Sequence, residues 1–230
     1  RGRLSHRCLN AGAGRAFLLH GGRHENRQSC RQGAGPCRCT RWHCPAVPQS
    51  VAGDIPLNTK QPYTHVGPGL PPLYGAQAKA LILGSFPSPK SRAQGFYYGH
   101  PQNRFWPLMA TLTLSPTPAW EDLDATRAII IGSGLAVWDV IHACSIRGAS
   151  DASIKDVEPN DLAALVNRLG VQAIFCNGAT SGRLYRKYAQ PLTGLEAVVL
   201  PSTSPANAAF TMPRLLDAWG TALEGYVNKP

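Results

Sequence analysis

From residue 80 onward, apolar residues come in short blocks separated by polar, glycine- and proline-rich stretches. Ala80-Leu81-Ile82-Leu83 ends at Gly84, and Leu135 to Ile141 is interrupted only by Asp139. Val171 to Cys176 ends at Asn177-Gly178, and Gly194 to Leu200 supplies a fourth run. Continuous apolar runs of this length suit strands buried on both faces, as in a parallel sheet. Between them the spacing turns helical. Leu162, Leu165, Val166 and Leu169 recur on one helix face, started by Pro159-Asn160-Asp161 and stopped by Gly170. Further helices are predicted over Arg104–Leu114, with Pro107 tolerated in the first turn, over Ser181–Tyr188, and in a last segment carrying Phe210, Leu215, Leu216 and Trp219. Ile129-Ile130-Ile131 fits a strand or a helix end equally well. The alternation predicts an α/β fold, a three-layer α/β/α sandwich around a central, mainly parallel four-stranded sheet.

The first third is different. Of the net charge of +10, residues 1–75 contribute +8, from ten Lys and Arg against two acids. This part also holds five of the seven cysteines and no sustained period. Residues 1–68 therefore read as a low-complexity basic extension, disordered or not native to the mature protein, and residues 69–230 as the folded domain. As a selected segment, the extension would raise affinity for polyanions without regard to sequence; as translated upstream sequence or a fragment boundary, it would have no role. Cys37, Cys39, His43 and Cys44 do not match the paired CxxC spacing of structural zinc sites, so no metal is expected. Cys144 and Cys176 fit buried small hydrophobes. No run of about 18 apolar residues is present to span a bilayer. The expectation is a soluble, cytoplasmic, nucleoid-associated chain without membrane contact.

Candidate chemistry gathers in the loops that follow the strands, where open α/β sheets bind ligands. After Gly84 comes Ser85-Phe86-Pro87-Ser88, then Lys90, Ser91 and Arg92, and then a segment dense in aromatics: Tyr97-Tyr98-Gly99-His100-Pro101-Gln102-Asn103-Arg104-Phe105-Trp106. Asp139 interrupts an apolar run, and a buried acid is costly unless paired or hydrogen-bonded. The last loop, Pro201-Ser202-Thr203-Ser204-Pro205-Ala206-Asn207, offers small hydroxyl groups ahead of a helix. That suits phosphate oxygens, and equally a capped turn with no ligand.

These stretches, in this order, closely resemble the hypoxanthine-DNA (deoxyinosine) glycosylases of the uracil-DNA glycosylase superfamily, over roughly Gly69 to the C-terminus. The resemblance implies a monofunctional glycosylase that flips a deaminated base out of double-stranded DNA, hydrolyses its N-glycosidic bond and leaves an abasic site. It implies a monomer needing no cofactor. In most of the superfamily the position of Phe86 holds the Asp or Asn that orients the attacking water; the resemblance gives that task to Asn103. An amide places water without being a strong base, although Asn103 also suits a helix cap. His100 is a candidate to assist the water or the leaving base, or is structural. Phe86, Tyr97 and Tyr98 are candidates to stack on the flipped base. Asp139 aligns with the base-reading position, where a carboxylate would favour the N1–H donor of hypoxanthine; a structural Asp is the other reading. Asn177 is a base contact or a tight turn. Ser85, Ser88, Lys90, Ser91, Arg92, Ser202, Thr203, Ser204 and Asn207 are the expected DNA contacts. Leu200 stands where the superfamily usually has His, and with Phe86 it argues against strong uracil excision. The alternatives are a uracil or mismatch glycosylase of the same fold and a non-catalytic nucleic-acid-binding module.

Overall fold

The strand Ala80–Gly84 is buried along its whole length and is the middle strand of the sheet that organises the chain. The computed structural model describes residues 61–119 and 121–228. In chain order its elements are β1 (Thr64–Val66), β2 (Leu73–Tyr74), β3 (Ala80–Gly84), α1 (Pro89–Gln94), α2 (Phe105–Leu112), α3 (Leu123–Ser133), β4 (Leu135–Asp139) and β5 (Ile141–Ile146). After a short 3₁₀ turn at Asp151–Ser153 come β6 (Lys155–Pro159), α4 (Leu162–Leu169), β7 (Ala173–Asn177), α5 (Ala179–Tyr188), α6 (Gln190–Thr193), β8 (Ala197–Leu200) and α7 (Met212–Leu223).

The main sheet has the order β2-β4-β3-β7-β8. β3, β4, β7 and β8 are parallel, as the four apolar runs predict. The sheet nevertheless has five strands rather than four. β2 adds itself antiparallel to β4, pairing Leu73 with Val137 and Tyr74 with Ala136. Two residues after a proline pair are too short a signal to read as a strand. A second, antiparallel sheet, β1-β5-β6, was not predicted at all. β5 continues beyond β4, and β1 comes from the segment read as extension, pairing Val66 with Cys144. The cysteine-rich cluster at 37–44 lies outside the described residues.

Alternation along β3 divides the core in two. Leu81 and Leu83 pack with Leu162 and Leu165 of α4 and Leu184 and Tyr185 of α5. Ala80 and Ile82 pack with Phe105 and Leu108 of α2, Ile130 of α3, and Leu215 and Trp219 of α7. Successive side chains of a strand point to opposite faces, so an all-apolar strand must be covered on both sides. The result is the expected three-layer sandwich. The isoleucines at 129–131 resolve as the end of α3, with Ile129 and Ile130 buried and Ile131 half exposed. Phe210 lies ahead of α7, which begins at Met212.

Parallel pairing fixes which residues meet at the carboxyl edge. Gly84 stands opposite Asp139, and Asn177 opposite Leu200. The loops leaving all four parallel strands therefore open on one side.

Candidate active site

Those loops enclose a crevice of about 360 Å³ whose wall includes Gly84, Phe86, Tyr98, Asn103, Asp139, Asn177 and Thr203. The crevice forms because β3 ends in a glycine. A Cβ on Gly84 would stand 2.1 Å from Asp139 Oδ1 and 3.5 Å from Tyr98 Oη. Only a residue without a side chain leaves room for the Asp139 carboxyl over the strand end, with Tyr98 Oη at ordinary contact distance.

Asp139 is 4% exposed, and its Oδ2, buried away from solvent, has no hydrogen-bond partner among the described residues. Burial, reinforced by the negative charge of Asp151, pushes its carboxyl up to about 8. At neutral pH this favours the uncharged acid, whereas the sequence reading treats the group as a carboxylate. Tyr98 Oη is likewise buried, with no hydrogen bond of normal geometry among the described residues and the Asn177 side chain beside it. Its ring stacks on Phe105 at 3.9 Å between centroids, and its backbone sits at φ 53°. Burial and the neighbouring Asp139 hold the Tyr98 hydroxyl protonated, well above the usual phenol range. Tyr97 is differently occupied: its hydroxyl donates to the carbonyls of Leu70 and Pro71 at 3.1 and 2.9 Å. It ties the segment before β2 to the crevice.

Asn103 stands one residue before Arg104, the cap of α2, and its Oδ1 accepts at 3.0 Å from the N–H of Phe105, the first residue of that helix. The same oxygen accepts the Thr203 hydroxyl at 2.9 Å. Thr203 Oγ1 in turn accepts from Asn177 Nδ2 at 2.9 Å, while Thr203 N donates to Asn177 Oδ1 at 2.9 Å. With two donors on its oxygen, the part of the Asn103 amide not engaged among the described residues is its N–H pair. Thr203 is fully buried, so it joins three loops and cannot reach a phosphate.

The other predicted contacts divide. Phe86 forms part of the wall, with the Arg92 guanidinium 5.4 Å from its ring centre; Arg92 Nη1 also donates to Pro87 O. Ser85 Oγ donates to Asp151 Oδ2 at 2.9 Å. Ser88 caps α1. Ser91 is buried, bonding Ser88 and accepting from Gly99 N, which removes it from any DNA contact. Lys90 is exposed beside them on α1. Ser202 and Ser204 line the crevice, while Asn207 holds the loop by donating to Ser202 O. His100 is not part of the crevice wall; its Nδ1 accepts from Gln102 N within its own turn.

Two participants were missed. Arg104 reads in sequence as the first residue of a helix, yet its guanidinium donates to the carbonyls of Thr203, Ser204, Asn207 and Phe210. Asp151 reads as loop, yet it reaches the crevice through the hairpin of the second sheet. Neither has a local signature, because their hydrogen bonds reach residues at least 66 positions away.

Residues 71–221 match the family model of the uracil DNA glycosylase superfamily. A hypoxanthine DNA glycosylase of Methanosarcina acetivorans is 34% identical over 153 residues, 64% of this chain and 91% of that protein. One from Methanosarcina barkeri is 34% identical over 143 residues, 60% of this chain and 87% of its own length. A Methanosarcina acetivorans protein, solved by NMR as a candidate uracil DNA glycosylase, superposes with a TM-score of 0.59 at 30% identity, over 71% of this chain and 99% of that one. With the parallel sheet, its edge crevice and these likenesses together, the chain belongs to the uracil DNA glycosylase superfamily.

Proposed function

We propose that this enzyme removes hypoxanthine from deoxyinosine in double-stranded DNA, with Asn103 orienting the attacking water. The observation that carries the reading is the convergence of Asn103, Asp139, Tyr98 and Asn177 on one crevice at the carboxyl edge. A glycosylase must extrude its target base into a pocket and read it there. At about 360 Å³ the crevice falls within the roughly 300–1,000 Å³ range of small-molecule sites. Phe86, backed by Arg92, supplies an aromatic wall for the base. Exposed Lys90, with Ser202 and Ser204, is placed to meet the flanking backbone, where contacts position the duplex. The two relatives named for hypoxanthine support the choice of base. An amide is enough to place water if the glycosidic bond is largely broken before attack, since the sugar cation then needs a positioned nucleophile more than a strong one.

Excision is tested by alkali-induced strand cleavage of duplexes carrying inosine, uracil or a thymine mismatch. Inosine should be the preferred substrate, and Asn103→Ala should abolish cleavage while keeping affinity for the inosine duplex. Preferential cleavage at uracil would favour the uracil reading; no cleavage of any duplex would leave a binding module.

A further inference from the structure

We propose that Asp139 is the general acid of this site, its carboxyl holding a proton and delivering it to the purine as the base leaves. The proposal rests on the deoxyinosine reading above and adds a chemical step to it. Asp139 ends a central parallel strand, lines the crevice and is almost wholly buried, and its Oδ2, itself shut off from solvent, has no partner among the described residues. Its other oxygen lies against Gly84. A buried carboxylate without a cation or donor is costly, so the site favours the acid, and a protonated carboxyl at the crevice wall has a proton to give.

The titratable groups around it agree. Asp151, on the 3₁₀ turn, is the charge that acts on Asp139, and it opposes ionisation. Tyr97 and Tyr98, from the loop after α1, are held protonated chiefly by burial, as is Cys176 in β7, pushed up to about 11. Arg92, on α1, is engaged by Pro87 O and the Phe86 ring. None of these supplies a partner for Asp139 Oδ2.

The step balances within the site. The C1′–N9 bond breaks with its electron pair passing to the purine, and a purine ring nitrogen takes the Asp139 proton. Water held at Asn103 bonds through oxygen to C1′, and the proton it releases returns through the crevice to the Asp139 carboxylate. Acid and enzyme are restored.

The test is single-turnover excision from an inosine duplex by the full chain and by Asp139→Asn, which keeps shape and a donor but has no transferable proton. Between about pH 5 and pH 10 the wild-type rate should fall by about tenfold per unit once Asp139 ionises. The variant should be about a hundredfold slower or more at neutral pH, with no such fall. A wild-type rate that stays flat through this range, or a variant as fast as wild type, overturns the proposal. A wild type inactive on inosine at every pH sinks the function itself, and the proposal with it. Carbon-13 NMR titration of the Asp139 carboxyl in the wild-type chain, assigned by its loss in the variant, gives a readout independent of substrate. A midpoint well above the ordinary carboxylate range is expected; an ordinary midpoint overturns the acid.

Discussion

Thr203 Oγ1 lies 2.9 Å from Asn103 Oδ1, joining positions 100 residues apart, and the same hydroxyl receives Asn177 Nδ2 at 2.9 Å. The direction of each bond is settled by chemistry. Phe105 N–H must donate to Asn103, so the oxygen of that amide faces Phe105 and Thr203. The Thr203 hydroxyl then donates to Asn103 and accepts from Asn177. A buried hydroxyl thereby sets the orientation of the amide proposed to place water.

Thr203→Val keeps the shape and removes both side-chain bonds. Thermal unfolding should show a loss of about 1–3 kcal/mol, the cost of leaving buried polar groups without partners. Single-turnover excision should fall by about tenfold or more, because small misplacements of a positioning group are costly. A variant that loses the stability and keeps the rate would reduce Thr203 to a structural tie.

Arg104→Lys tests the clamp on the last loop. A guanidinium fork reaches four carbonyls from one position; an ammonium cannot span them. The expected loss is about 1.5–3 kcal/mol, the range for a hydrogen bond to a charged group. Limited proteolysis should show faster cutting between Thr203 and Phe210, and an unchanged pattern would contradict the clamp.

Gly84→Ala places a methyl group where Asp139 Oδ1 now lies, 2.1 Å from the new carbon. Asp139 or the strand end must move. Stability should fall by about 1–3 kcal/mol, as for overpacked cores, and inosine excision by about a hundredfold. Wild-type excision by this variant would mean that the contact between Gly84 and Asp139 is irrelevant to the site.

Asp139 also predicts a pH dependence of stability. Its acid is raised from the ordinary 3.8 to about 8 in the folded chain, so between these values the folded state binds more protons than the unfolded state. Stability relative to Asp139→Asn should therefore fall as pH rises through this window, by up to about 1.4 kcal/mol per pH unit, and level off above it. Denaturant unfolding of both proteins between about pH 5 and pH 9 measures the difference. A constant difference would mean an ordinary carboxylate.

The buried run Ala80-Leu81-Ile82-Leu83 and the runs of β4 and β7 were legible because strand burial leaves a local trace, as did the Asp161 start and Gly170 stop of α4, whereas the apolar run of β8 is an edge strand with Val198 and Val199 half exposed. The crevice followed from parallel strands, whose carboxyl ends must share an edge. β2, two residues long, and β1, inside a stretch rich in Pro and Gly, left no such trace; each is a strand only because a partner pairs with it. Ser91 and Thr203 look like phosphate ligands in sequence, since hydroxyl residues in a loop read alike whether buried or exposed.

What the amino-acid order alone determined is the parallel core, the two faces that cover it, and the loops that meet at its edge, because periodicity and turn chemistry act over a few residues. Tertiary structure alone decided that Asp139 is held toward its neutral form, that Thr203 is a hub, and that Arg104 and Asp151 reach the site. Protonation and hydrogen-bond direction depend on burial and on neighbours brought close in space, and for these residues those neighbours lie far along the chain.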